Sequence, residues 1–155
     1  MRPAVCVPLG PGAKTYTNLQ GPKGAGARKL SQMPSTPLVC AVDDDEALIE
    51  SLDGLLRSAG FAVQTFISPE SFLDWSATNR VDCVVLDFAM PGMNGLDLYR
   101  ELRDRGASVP VIFATAIADD DVWNQLTTSG AVAVFAKPLD AEALLAAIKQ
   151  AVTIV

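Results

Sequence analysis

The 155-residue chain contains no histidine. That excludes a mixed His–Cys zinc cluster, a Ser-His-Asp triad and a histidine phosphoacceptor. Cysteine is scarce: Cys6, Cys40 and Cys83 lie far apart and form no CxxC pair. A disulfide framework or an iron–sulfur site is therefore not expected, and a reducing cytoplasmic setting is the simpler reading. No apolar run is long enough to cross a bilayer. Acidic residues are missing from positions 1–36, which hold Arg2, Lys14, Lys23, Arg28 and Lys29, or +5. The seven remaining bases stand against all 18 acids in 37–155, giving that part −11 within a total of −6. An acidic globule binds a nucleic acid backbone poorly.

What is present divides the same way. Residues 1–36 are rich in proline and glycine and cannot bury enough surface to offset the entropy of ordering them. They are read as a disordered basic extension. Half of all residues are hydrophobic, and from position 37 they fall into alternating strand and helix patterns. Leu38 to Val42 is a short apolar run ending in three aspartates. Leu48, Leu52, Leu55 and Leu56 then lie on one helical stripe, with Asp45 as N-cap and Gly60 as stop. Ala62 to Phe66 reads as an edge strand. Ser68-Pro69-Glu70 opens a second helix with a cap, a first-turn proline and an acid at the positive end of the dipole.

Val81 to Leu86 is a third strand, ending at Asp87. After a Met90-Pro91-Gly92-Met93-Asn94-Gly95 loop, Leu96, Leu98, Tyr99 and Leu102 mark a helix. Val109 to Ala114 is a fourth strand, followed by a helix over about 119–129 that closes at Gly130. Val132 to Ala136 is a fifth strand. Lys137-Pro138 follows, then a last helix capped by Asp140. Short Val- and Ile-rich strands joined by helices demand parallel pairing with helices on both faces. The expected fold is a doubly wound (βα)₅ parallel sheet over 37–155. Ligands of such sheets sit at the carboxyl ends of the strands.

Those ends carry the polar residues. The first strand ends at Asp43 and Asp44, the third at Asp87, the fourth at Thr115 and Ala116, and the fifth at Lys137. Alone, each has an ordinary explanation: an aspartate caps a loop, as Asp45 does, a threonine is a satisfied hydroxyl, a lysine is a solvated charge. Together they place three carboxylates, a hydroxyl and an ammonium on one rim. Clustered carboxylates repel, and a hard divalent ion relieves the repulsion. Mg²⁺, with Mn²⁺ as substitute, would be met by Asp44, Asp87 and the backbone carbonyl near Ala89, with Asp43 as a further ligand or acting on a metal-bound water. A free oxygen of Asp87 can attack phosphorus while Lys137 and Thr115 meet the phosphoryl oxygens.

At this point 37–155 resembles the receiver domain of bacterial two-component response regulators, which implies a flavodoxin-like sheet of strand order 2-1-3-4-5. The segments that carry the resemblance are Val42-Asp43-Asp44-Asp45-Glu46-Ala47, Leu86-Asp87-Phe88-Ala89-Met90-Pro91-Gly92-Met93-Asn94-Gly95, Ile112-Phe113-Ala114-Thr115-Ala116 and Lys137-Pro138. The resemblance implies a phosphoprotein with Asp87 as acceptor from a histidine kinase or histidine phosphotransfer protein. It implies Mg²⁺ on Asp43 and Asp44, Thr115 swinging onto the phosphoryl group, Lys137 pairing with it, and a cis Lys137-Pro138 bond. The expected output is a downstream protein partner or a phosphorylation-dependent homodimer, with no DNA-binding domain in this chain and no membrane: a stand-alone receiver. Self-phosphorylation from a small phosphodonor is expected.

Two features depart from the family's pattern. The aromatic residue usual three places before the lysine is Val134, while Phe135 faces the other side of the sheet. Ala89 and Ile117, two beyond the acceptor and the threonine, cannot orient a water, so slow autodephosphorylation is expected. Two other readings remain at this level. A haloacid-dehalogenase-like phosphatase also uses a strand-end aspartate and Mg²⁺, but needs a second acid where Ala89 stands. A degenerate receiver would bind partners without phosphate. A nucleotide-binding fold is weaker, since no glycine-rich loop follows the first strand.

Overall fold

A computed structural model describes residues 36–116 and 119–153, together with the backbone of 5–6. Among the described residues six strands form one sheet: β1 (Val5–Cys6), β2 (Leu38–Val42), β3 (Ala62–Phe66), β4 (Cys83–Leu86), β5 (Val111–Thr115) and β6 (Ala133–Ala136). The helices are α1 (Glu46–Ser58), α2 (Pro69–Ser76), α3 (Gly95–Asp104), α4 (Asp120–Thr127) and α5 (Ala141–Thr153). The spatial order is β1-β6-β5-β4-β2-β3. Strands β2 to β6 pair in parallel, so the five expected strands take the expected order 2-1-3-4-5.

The sixth strand departs from the composition-based reading of 1–36 as disordered throughout. Val5 and Cys6 pair antiparallel with Val134 and Ala133. Val5 and Cys6 belong to the one stretch of that extension with consecutive apolar residues, Ala4 to Val7, and a free sheet edge supplies the backbone partners that the segment lacks by itself. The rest of the proposed extension, 1–4 and 7–35, lies outside the described residues.

Period-two alternation divides the core into two layers. Val39, Ala41, Cys83, Val85, Ile112, Ala114, Ala133 and Phe135 face α1 and α5, against Ile49, Leu52, Leu56, Leu144 and Ile148. Cys40, Val42, Val84, Leu86, Phe113 and Val134 face α2, α3 and α4, against Phe72, Leu98, Leu102, Trp123 and Leu126. The parallel strands β2, β4 and β5 are buried over almost their whole length because both faces are covered.

Local capping fixes where each helix begins, and so how long each rim loop is. The Asp45 carboxylate accepts from the Ala47 and Leu48 amides at 3.1 and 3.2 Å. Ser68 accepts from Ser71, Asn94 from Asp97 and Asp140 from Glu142. At the opposite end of the sheet, buried Asp82 accepts from the Leu38 amide at 2.8 Å and from Arg80 at 3.0 Å. This carboxylate, which interrupts an apolar strand in the sequence, ties the start of β2 to the start of β4.

Candidate functional site

The rim is assembled by strand register. Val42 pairs with Leu86, and the Asp87 amide donates to the Val42 carbonyl at 3.0 Å. Asp43 and Asp87 therefore emerge side by side from neighbouring strands. On the far side of β5, Thr115 pairs with Ala136, and the Lys137 amide donates to the Thr115 carbonyl at 2.9 Å. Backbone pairing alone thus brings four chain segments to one edge.

Each side chain has a definite setting. Asp43 is buried, and one of its oxygens accepts from the Asp45 amide at 2.9 Å. Asp44 is exposed, and Asp87 is buried. Asp43, Asp44 and Asp87 each offer an oxygen within 4.8 Å of the others. The Lys137 Nζ reaches Asp43 Oδ2 at 2.8 Å and Asp87 Oδ1 at 3.5 Å. Thr115 is fully buried, and Ala116 and Pro138 are exposed. The Lys137–Pro138 peptide bond is cis. Ala89 is exposed. Val134 is wholly buried on the α4 side, and Phe135 on the α5 side. Ile117 lies outside the described residues.

The electrostatics follow from this crowding. Burial and the charge of Asp43 push the Asp87 carboxyl up to about 6, against the opposing pull of Lys137 and a hydrogen bond from the Ala89 amide. For Lys137, burial works against the ammonium, but the hydrogen bond to Asp43 and the charges of Asp87 and Asp43 outweigh it and raise its pKa. The lysine stays charged and sits among carboxylates that repel one another. Hard oxygen donors in such a cluster, with one of them held less acidic than usual, fit a small divalent cation such as Mg²⁺.

The glycine that opens α3 has its own part here. The Gly95 amide donates to the Phe88 carbonyl at 2.8 Å. A Cβ at position 95 would collide with the Asp87 carbonyl oxygen and come within 3.0 Å of the Phe88 Cα. Only glycine lets α3 begin this close to the end of β4. The loop sequence marks a turn, but nothing in it identifies Gly95 rather than Gly92 as the close approach. The pairing of Lys137 with Asp43 is likewise not legible in the sequence, since 94 positions separate them.

Comparison with known proteins agrees with this geometry. The family model for the response regulator receiver domain matches residues 39–149. The response regulator protein TodT of Pseudomonas putida is 37% identical over 130 residues, covering 84% of this chain and 56% of that protein. The transcriptional regulatory protein FixJ of Azorhizobium caulinodans is 39% identical over 117 residues, 76% of this chain and 56% of that one. The chain thus spans little more than half the length of these curated relatives. Among solved structures, FixJ-N superposes with a TM-score of 0.72 at 32% identity, covering 79% of this chain and 98% of that one. A response regulator receiver protein from Burkholderia phymatum gives 0.68 at 40% identity, covering 77% and 98%. With a fold of this order and a family match across its described parallel sheet, the chain belongs to the response regulator receiver domain family.

Proposed function

We propose that Asp87 accepts a phosphoryl group from a histidine kinase or histidine phosphotransfer protein, and that the receiver signals through protein–protein contacts. The observation that carries this reading is the convergence of Asp43, Asp44, Asp87 and Lys137 on one rim. Asp43, Asp44 and Asp87 are the residues that would hold Mg²⁺. When bound, the ion supplies positive charge that offsets the developing charge on the phosphoryl oxygens. A carboxylate oxygen of Asp87 forms the new O–P bond as the donor's P–N bond breaks, and the bonding pair leaves with the donor nitrogen. Asp87 must be ionised to do this. Its raised pKa still leaves the carboxylate form dominant at neutral pH.

Lys137 holds a compensating charge beside the acceptor and exchanges Asp87 for a phosphoryl oxygen once the group arrives. Thr115, at the end of the neighbouring strand, offers a hydroxyl to another oxygen. Ala89 presents a methyl group that cannot orient a water, which supports slow autodephosphorylation. It also lacks the acid that the phosphatase reading requires. Two buried free thiols, Cys40 and Cys83, accord with action in the cytoplasm.

The test is labelling with a small phosphodonor such as acetyl phosphate in the presence of Mg²⁺. Intact mass should rise by one phosphoryl group, be lost in mild base, and be absent in Asp87→Asn. Equal labelling of that variant would refute the assignment.

A further inference from the structure

Five arginines lie among the described residues. Three are matched by a carboxylate: Arg57 by Asp53 at 2.7 Å, Arg80 by Asp82 at 2.9 Å and Arg105 by Glu101 at 3.0 Å. Arg100 and Arg103 are the exceptions. Arg100 meets Asp97 only at 3.9 Å, and among the described residues no carboxylate pairs with Arg103. Both are exposed, and both line one groove of about 280 Å³ between α3 and α4, with Leu96, Tyr99, Gln125 and Thr128. No acid lines it. We propose that this groove docks an acidic segment of a protein partner, with one carboxylate on each arginine.

Charge complementarity and prior positioning select this occupant. Helix α3 segregates its charges: Leu96, Tyr99, Arg100 and Arg103 have the spacing of one helical face, and Asp97, Glu101 and Asp104 form the neighbouring stripe. Arg103 is held before any partner arrives. Its guanidinium lies 5.6 Å from the Tyr99 ring centroid and donates to the Ser129 carbonyl at 3.3 Å. Gly130 leaves room for this, since a Cβ there would stand 3.0 Å from the Tyr99 hydroxyl and 3.4 Å from Arg103 Nη1. A fork fixed in advance loses less freedom on pairing, and its remaining donors match the two oxygens of a carboxylate. Cβ atoms three positions apart on a helix are about 5–6 Å apart. Side chains two positions apart on an extended chain stand about 6.5 Å apart. Two acids separated by one residue therefore span the arginine pair. The groove is smaller than a usual small-molecule pocket, which suits side chains of a longer segment. The proposal concerns the unphosphorylated chain and does not rest on phosphoryl transfer to Asp87.

The experiment is fluorescence anisotropy on the full chain, without a phosphodonor, using a labelled synthetic peptide of alternating glutamate and valine as probe. The wild type should bind it, less tightly as salt rises. Arg100→Gln and Arg103→Gln should each weaken binding at least about fivefold. Arg105→Gln removes the same charge from the same helix and should change it by less than about twofold. Arg100 is exposed, so its variant keeps the test valid if a melting curve shows that Arg103→Gln fails to fold. Equal weakening by all three variants would reduce the effect to net charge and overturn the proposal. Unchanged affinity in Arg100→Gln and Arg103→Gln would place the peptide elsewhere and do the same. So would no binding at millimolar peptide, or equal binding of a peptide with glutamine in place of glutamate. Displacement of the peptide by an equal concentration of inorganic phosphate would assign the pair to a free anion instead. A wild-type dimer in sedimentation velocity that Arg103→Gln abolishes would make a second copy the occupant, and either result overturns the proposal.

Discussion

The Lys137 ammonium lies 2.8 Å from Asp43 and 3.5 Å from Asp87, so the lysine leans toward Asp43 and away from the proposed acceptor. It neutralises part of a like-charged cluster. Lys137→Met keeps much of the side-chain volume and removes the charge. In EDTA at neutral pH the variant should lose on the order of 1–3 kcal/mol in a urea titration, since a buried carboxylate pair is left uncompensated. Because the folded-state pKa of Lys137 is raised, its contribution is full below the ordinary lysine value and fades as pH rises through the higher folded value. Equal stability of variant and wild type at neutral pH would show that the pair is solvent-screened.

Asp87→Asn should act in the opposite direction. The Asp87 carboxyl is held near 6 rather than 3.8, so the folded state holds its proton more tightly than the unfolded chain does. This group's contribution to stability therefore falls as pH rises from about 4 to about 6. In metal-free buffer the variant should be more stable than wild type at neutral pH, by at most about 3 kcal/mol, with the gap closing near pH 4. A pH-independent difference between the two would contradict the burial and Asp43 repulsion seen here.

Metal binding can be read without any phosphodonor. Mg²⁺ binding to the folded state should raise the melting temperature, and each tenfold loss of affinity removes up to about 1.4 kcal/mol of that gain. Asp44 is exposed and belongs to the acidic trio. Asp44→Asn should leave the metal-free fold intact and cut the Mg²⁺-dependent rise. Equal rises in both proteins would place the ion elsewhere.

The alternation of strands and helices and the identity of the rim residues were legible because they rest on local signals: apolar runs of four to six residues, helix stripes, caps at Asp45, Ser68 and Asp140, and polar residues at strand ends; the spatial order of the strands came from the family resemblance. Other features depend on contacts distant in sequence. Asp82 looks like an interruption of a strand until its link to the Leu38 amide is seen. Strand β1 is two residues long, too short for a periodic signal, and exists through its pairing with β6. The crowding of Gly95 against Asp87 requires the trajectory of α3, which the loop sequence does not specify.

Gly95→Ala tests that crowding. The added methyl must displace backbone, not a flexible side chain, because it meets the Asp87 carbonyl and the Phe88 Cα. A loss of about 1–3 kcal/mol is expected, as for other overpacked sites. Labelling of Asp87 should slow more than the stability loss explains, since the acceptor strand end itself moves. Gly54 provides the comparison: apart from its chain neighbours and the backbone of its own helix, no atom lies within 4 Å of a Cβ built there. Gly54→Ala, within α1, should keep full labelling and gain slightly in stability. Similar behaviour of the two variants would remove the positioning role from Gly95.

The coupling of Asp87 to the surface of α4, β6 and α5 should be weak, and the reason is the side chain at 134. Val134 is fully buried in the layer with Phe113, Trp123 and Leu126. Phe135, the aromatic residue next to it, packs on the opposite face with Ile148. No ring on β6 therefore stands on the α4 side to move when Thr115 shifts. A valine is stiff about χ1, and at about 25 cal/mol per Å² its small side chain transfers less free energy between two positions than an aromatic ring does. Beryllofluoride with Mg²⁺ mimics the phosphoryl group and permits a chemical-shift comparison with the free protein. Shifts should concentrate in the loops around Asp87, Thr115 and Lys137 and decay before the outer faces of α4 and α5. Large shifts on both helices, or dimerisation through them that depends on the mimic, would show that Val134 is sufficient for a full switch and that the transferred area does not limit the response.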